Sequence, residues 1–227
     1  MTRVFLEADA VSVPPWVVDL PTFRRWIEEE EDLPEAGRVS FLNGEVWIDM
    51  TKEQLFSHNE VKSEINSILR TLVKKTRAGR HFADGAYLSN EDAEISNQPN
   101  GLFVSDEALR SGRVKVIEGK TDGHVELEGT PDMVLEVVSR SSVVKDTDVL
   151  RRAYALAGIR EYWLVDARST SPQFQILTLG ANGYSPVPEE SGWVRSEVFT
   201  TWFRLTRAVG RDGFPEFTLE TRAENIA

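Results

Sequence analysis

The chain has 227 residues, 41% hydrophobic and 9% aromatic, enough for one larger domain with a sizeable core and too apolar for global disorder. It contains no cysteine, which excludes disulfides, thiolate metal sites and cysteine nucleophiles. A formal net charge of −11 argues against a non-specific DNA binder and against a membrane-surface role, so any nucleic-acid function must rest on a local basic patch.

No apolar run approaches the roughly 20 residues that cross a bilayer. The opening MTRVFLEADAVSVPPW lacks a basic start followed by an apolar block. A soluble, cytoplasmic protein without a membrane partner is expected. Residues 1–20 read as an extended lead-in punctuated by Pro14 and Pro15, residues 21–210 as the folded domain, and 211–227 as a tail. Thr22 is placed to cap a short helix, FRRWIEEEE, with Phe23, Trp26 and Ile27 as its apolar stripe. RVSFL-NG-EVWIDM reads as a hairpin, because Asn43-Gly44 suits a two-residue turn with positive φ at both positions. Residues 53–77 give the clearest helix, with His58, Val61, Ile65, Ile68, Leu69 and Leu72 on one side and Lys74, Lys75 and Arg77 in its last turns.

HFADGAYLS (81–89) and GLFVS (101–105) read as strands, and SDEAL (105–109) as a helical turn. RVKVIEG and GHVELEG form a second hairpin. PDMVLEVVS (131–139) is the most apolar strand and is expected to be central. DTDVLRRAYALAG (146–158) reads as a helix with Leu150, Tyr154 and Leu156 turned inward and Gly158 as its C-cap. EYWLVDAR and FQILTLG are further strands, Asn182-Gly183 marks a turn, and SEVFTTWFRL is a last apolar segment. The order predicts an α/β protein with a mixed sheet.

Two acids interrupt the central strand. Asp132, Val134, Glu136 and Val138 share one face. Four residues at roughly 3.3 Å each put the acids about 13 Å apart at their α-carbons, too far to clamp one small cation on a straight strand. Either a bulge after Pro131 shortens the gap, or one acid binds metal with a ligand from another strand. Without a metal, Glu136 reads as a strand carboxylate paired to Lys145 or an arginine, and Asp132 as a turn residue after Pro131. Other chemistries fail on inventory. The three histidines, His58, His81 and His124, show no HExxH spacing. No GxxxxGK[ST] or GxGxxG occurs, and Ser139, Ser141 and Ser142 lack a nucleophile-elbow context.

The run TPDMVLEVVSRSS…KD…LRRAYALAGIREYWLVDAR resembles the bacterial putative restriction endonuclease family, a domain-of-unknown-function group within the PD-(D/E)XK nuclease superfamily. The similarity is close from Pro131 to Arg168 and extends through QPNGLFVSDEAL and FLNGEVWIDM. The resemblance implies an α/β (α+β-like) fold with a restriction-endonuclease-like core, a mixed β-sheet flanked by helices. It implies an endonuclease acting on DNA with Mg²⁺, Mn²⁺ substituting. Carboxylates hold the ion, which polarises the scissile phosphate and activates water, while a lysine orients that water.

Carried over residue by residue, Glu136 takes the central acid position, with Asp132 beside it around the metal. The family's other Pro-Asp is Pro99-Asn100 here, so Asn100 stands as a neutral, weaker metal ligand. The lysine position two residues after Glu136 is Val138. The displaced basic position, four residues after an Asp aligned with Asp146, is Leu150. Lys145 is the expected substitute, ahead of Arg151, which reads as a solvated helix residue or a phosphate contact. His58, Glu60 and Glu64 on the long helix are secondary candidates, against readings as a rim histidine and a solvated face. Lys74, Lys75, Arg77 and Arg80 form a basic cluster. The segment with Trp193, Phe199, Trp202 and Phe203 is a candidate homodimer surface, against ordinary packing. The alternative to a nuclease is a non-catalytic binding or regulatory module on the same fold, which Asn100 and Val138 favour.

Overall fold

The computed structural model describes residues 3–6, 9–29, 37–120 and 123–223. Strands β1 (Arg3–Leu6) and β2 (Asp9–Ser12) pair antiparallel ahead of helix α1 (Leu20–Glu29). The hairpin β3 (Arg38–Leu42) and β4 (Glu45–Asp49) follows, then a wide π-helical turn over Leu55–Glu60 that runs into α2 (Val61–Thr76). Next come β5 (Gly79–Ala83), β6 (Tyr87–Asn90), β7 (Ile95–Asn97), β8 (Gly101–Ser105) and α3 (Asp106–Ser111). The hairpin β9 (Val114–Glu118) and β10 (His124–Gly129) leads to β11 (Met133–Val137). A second π-helical turn, Lys145–Val149, opens α4 (Leu150–Leu156). The chain ends with β12 (Glu161–Asp166), β13 (Gln173–Gly180), β14 (Gly183–Pro186), β15 (Glu189–Glu190), β16 (Trp193–Ser196), β17 (Thr201–Val209) and β18 (Pro215–Ala223).

Two six-stranded sheets dominate. The hairpin sheet runs β4-β3-β7-β6-β10-β9 and the central sheet β14-β13-β12-β11-β8-β5. Each is mixed, with one parallel pair: β6 with β10, and β11 with β12. Strand β11 has neighbours on both sides and every residue buried, as its near-continuous apolar run predicts. A four-stranded antiparallel sheet, β15-β16-β17-β18, completes the molecule. The fold is therefore mixed α/β, as expected. Among the described residues no helix is long and apolar enough to cross a membrane.

Side-chain alternation divides the core. Val134 of β11 and Val138 just past its end point into a cluster with Leu150, Tyr154 and Tyr162. Met133, Leu135 and Val137 point the other way, onto Val61, Ile65 and Leu69 of α2 and onto Phe203 and Leu219 of the C-terminal sheet. The fully buried carboxylate of Glu161 fastens that sheet to the centre. It accepts from the Glu197 and Val198 amides, the Ser196 hydroxyl and the Trp163 indole at 2.7–3.0 Å. Phe203 stacks edge-on against Trp163 inside this core, so much of the last apolar segment is spent internally.

Several boundaries differ from expectation. Helix α1 begins at Leu20, because Asp19 and Thr22 bond reciprocally to each other's backbone amides, making Asp19 the cap; the predicted Glu30 and Glu31 lie outside the described residues. The stretch 81–89 is two strands in different sheets, broken at Asp84-Gly85 where Gly85 has φ +95°. Strand β7 lies in a polar stretch that carries no strand pattern. Leu156 is exposed, not inward. The presumed tail contains β18, paired along its whole length with β17.

Candidate active site

Glu136 lies near the end of β11 and points toward α4 and the hairpin sheet. Its Oε1 accepts from the Tyr154 hydroxyl at 2.7 Å and the Asn97 amide at 3.1 Å. Asn97 in turn donates to Tyr154 and accepts from the Ser40 hydroxyl at 2.7 Å, so three elements fix one carboxylate. Asp146, in the π-helical turn, is 1% exposed. Its Oδ2 accepts from Ser142 Oγ, and its Oδ1 is buried with no hydrogen-bond partner. Burial raises the pKa of Glu136, with the charge of Lys145 opposing; burial and the neighbouring Glu136 charge push Asp146 up to about 8.

The two acids line a cavity of about 80 Å³ together with Asn100, Lys145, Arg38 and Lys52; Asp49, Thr51, Glu53, His58, Ser139 and Ser142 complete the wall. Three cations, Arg38, Lys52 and Lys145, face four carboxylates across it. Its rim is braced by a charged network: Glu53 accepts from Arg38 at 2.7 Å and from Lys62 at 2.8 Å, and Asp84 joins both cations. Glu53 falls to about 2; burial opposes this, and the Lys62 and Asn59 hydrogen bonds outweigh it. Asp49 is also lowered, since bonds from Thr51 and Ser141 and the charge of Lys145 overcome its burial. His58 is held neutral by burial, with Nδ1 3.7 Å from Glu53 and without a hydrogen-bond partner.

Of the predicted site residues, Glu136, Lys145 and Asn100 meet in this pocket. Asp132 does not. It is fully buried at the start of the central strand, where Oδ1 binds Arg113 at 2.7 Å and Arg160 at 2.5 Å, and Oδ2 accepts the Ser105 amide at 2.7 Å. Both oxygens are engaged by the protein, and these contacts hold its pKa low against the burial that raises it. Asp132 is thus a structural carboxylate. Asp132→Ala should cost about 1–3 kcal/mol, read as a lower urea midpoint, because it strands a part-buried amide and two cations that are partly exposed. The metal response of the pocket should be unchanged.

Asn100 sits where a carboxylate is expected, and its Oδ1 accepts the Val137 amide at 2.7 Å. Its Nδ2 is buried without a partner, so the amide offers a donor where an acid would offer oxygen. Val138 and Leu150 are packed in the core and supply no cation. Arg151 donates to the Tyr184 carbonyl at 2.7 Å, and Glu64 accepts the Leu219 amide at 2.9 Å, so both are structural. Glu60 lies outside the pocket, Lys74, Lys75 and Arg77 are exposed at the far end of α2, and Arg80 is exposed on β5. Sequence reasoning missed Asp146 as a site group, although Ser142 and Asp146 at an i,i+4 spacing before an apolar helix were a usable signal. Arg38 and Asp49 were visible only as hairpin residues.

A divalent cation fits the donor set in a limited way. Among the described residues no group of three or more His, Asp or Glu side chains converges on one point. Mg²⁺ needs no such cage, since it is commonly bound through one or two carboxylates and keeps several waters. Glu136 and Asp146, with the orphaned Asp146 Oδ1, meet that requirement.

The family model of Uma2, described as "Putative restriction endonuclease", matches residues 20–208. Among solved structures, a putative nuclease belonging to DUF820 from Anabaena variabilis ATCC 29413 superposes with a TM-score of 0.57 and 16% sequence identity, over 80% of this chain and 90% of that one. That likeness is one of fold. No curated protein matches the chain.

Proposed function

Because the chain belongs to the Uma2 family, putative restriction endonucleases, we propose that its carboxylate pocket hydrolyses phosphodiester bonds in DNA with Mg²⁺, Mn²⁺ substituting. The observation that carries this reading is the pairing of two buried acids, Glu136 and Asp146, each with a raised pKa, against the cations Lys145, Arg38 and Lys52. Such acids are costly to ionise in the bare protein and gain most from a cation.

Glu136 and Asp146 are the groups to hold the ion, which when bound supplies Lewis-acid polarisation of the phosphate and a more acidic water. Arg38 and Lys52 bind the phosphate oxygens. Lys145 orients the attacking water and offsets charge developing on phosphorus. Water adds to phosphorus, the P–O bond to the leaving sugar oxygen breaks, and the proton the water loses ends on that oxygen. His58, which lines the pocket and whose pKa burial lowers, is the group we assign to carry it.

A second reading is a fold that binds nucleic acid without cutting it. Asn100 favours it, since the side-chain oxygen is tied to the Val137 amide. Incubation of supercoiled plasmid and of single-stranded DNA with the protein decides between them. Nicking with Mg²⁺ or Mn²⁺ and none in EDTA supports the nuclease. Metal-dependent retention of DNA without any nicking supports the second reading.

A further inference from the structure

We propose that the larger cavity beside the carboxylate pocket receives an unpaired nucleobase, which makes single-stranded or unstacked nucleic acid the preferred ligand of this chain. The inference rests on the phosphodiesterase reading of the adjoining pocket. Its starting point is the register of the first hairpin. Arg38 pairs with Asp49 and Ser40 with Trp47, so these four side chains share one face of the sheet. The opposite face, with Val39 and Phe41, is covered by α1. The Arg38–Trp47 face looks instead toward Ser141, Ser142 and Lys145; Ser141 closes one edge by donating to Asp49 at 2.9 Å, and a gap lies beside that bond.

That gap is a cavity of about 410 Å³, against about 80 Å³ for the carboxylate pocket. The two share Arg38, Asp49, Thr51, Ser142 and Lys145, so they are one continuous cleft with a deep acidic end and a roomier end. The roomier end adds the half-buried indole of Trp47 and the thioether of Met50. Its size lies in the range of small-molecule sites, ~300–1,000 Å³. Its chemistry is an aromatic side chain and a polarisable sulfur for stacking, the remaining lone pair of Asp49 Oδ2, whose other bond is from Ser141, to accept from a base edge, and two cations at the shared rim for a phosphate. A planar heteroaromatic group joined to a phosphodiester satisfies all of these at once. A base paired in a duplex does not reach such a cleft; it must be unpaired or swung out of the stack.

Fluorescence anisotropy with labelled 12-mers tests this, using Ca²⁺, an oxygen-seeking cation of the same charge as Mg²⁺. The probes are a thymine single strand, a fully abasic strand with the same phosphates, and a blunt duplex. The thymine strand should bind at least about tenfold more tightly than either other probe, the effect of one stacked base. Trp47→Ala should remove that advantage and leave abasic affinity unchanged, while Trp47→Phe keeps most of it. Lys145→Ala should weaken all three probes together. Because Trp47 also packs on the core, the natural chain with thymine and abasic strands is a test that needs no variant. Equal affinity for those two overturns the inference and leaves the phosphodiesterase reading standing. So does a thymine advantage that persists in folded Trp47→Ala. No binding of any probe sinks both.

Discussion

Glu136→Gln should abolish the response of the protein to divalent cations. At a Mg²⁺ or Mn²⁺ concentration 100 times its dissociation constant, the natural chain should gain about 2.7 kcal/mol, a rise in melting temperature of roughly 5–10 °C for a domain of this size. Asp49 and Glu53, the other carboxylates of the wall, are held by hydrogen bonds and cations of the protein, so removing one of the two acids assigned to the ion leaves it without an adequate site and the melt should become indifferent to metal. Any metal-dependent nicking should fall by at least about a hundredfold, the effect of losing a few kcal/mol of charge stabilisation. The neutral amide keeps the shape of the side chain and can still meet Tyr154 and Asn97. In EDTA the variant should therefore be as stable as the natural chain or more so, because burial no longer opposes ionisation at this position. A metal shift that survives in Glu136→Gln would falsify the assignment of the pocket.

Asn100→Asp should move the protein the other way. One oxygen of the new carboxylate can keep accepting the Val137 amide, and the second replaces an amide nitrogen that has no partner. A third acid beside Glu136 and Asp146, both already costly to ionise, adds repulsion, so in EDTA the variant should lose stability, by about 1–3 kcal/mol. With Mg²⁺ the order should invert, since cation affinity rises with the number of charged ligands. The diagnostic result is a crossing of the two melting curves as metal is added. Nicking that appears only in this variant would mean a nuclease pocket held silent by one side chain. Equal metal response in both chains would mean position 100 does not touch the ion.

Much of the fold was legible because its signals are local. Asn43 and Gly44 both adopt positive φ, 50° and 81°, as their hairpin turn demands. The apolar run of β11 could only be a strand buried on both faces. What failed was information that sits between segments. Asp132 and Glu136 have the same parity on one strand, yet Asp132 answers to Arg113 and Arg160 and Glu136 to Tyr154 and Asn97. Alternation tells which side a residue faces and nothing about what waits there. The split at Asp84-Gly85 was readable as a turn, but only the assembled sheets show that the two halves join different layers. The cations of the pocket come from a hairpin, a loop and a helix start, three places with no sequence relation.

The route of the chain between the two large sheets has a kinetic consequence. From β5 to β11 it passes from the central sheet to the hairpin sheet, back, across again and back once more. Each of the two six-stranded sheets therefore depends on segments that flank pieces of the other, and neither half of the sequence contains either of them complete. Expressed separately, halves divided at the exposed Asp84-Gly85 turn should not fold until they are mixed. Assembly must close many distant contacts before either six-stranded sheet is finished, which makes folding slow. The carboxylate pocket, walled by both layers, then forms only in the last cooperative step.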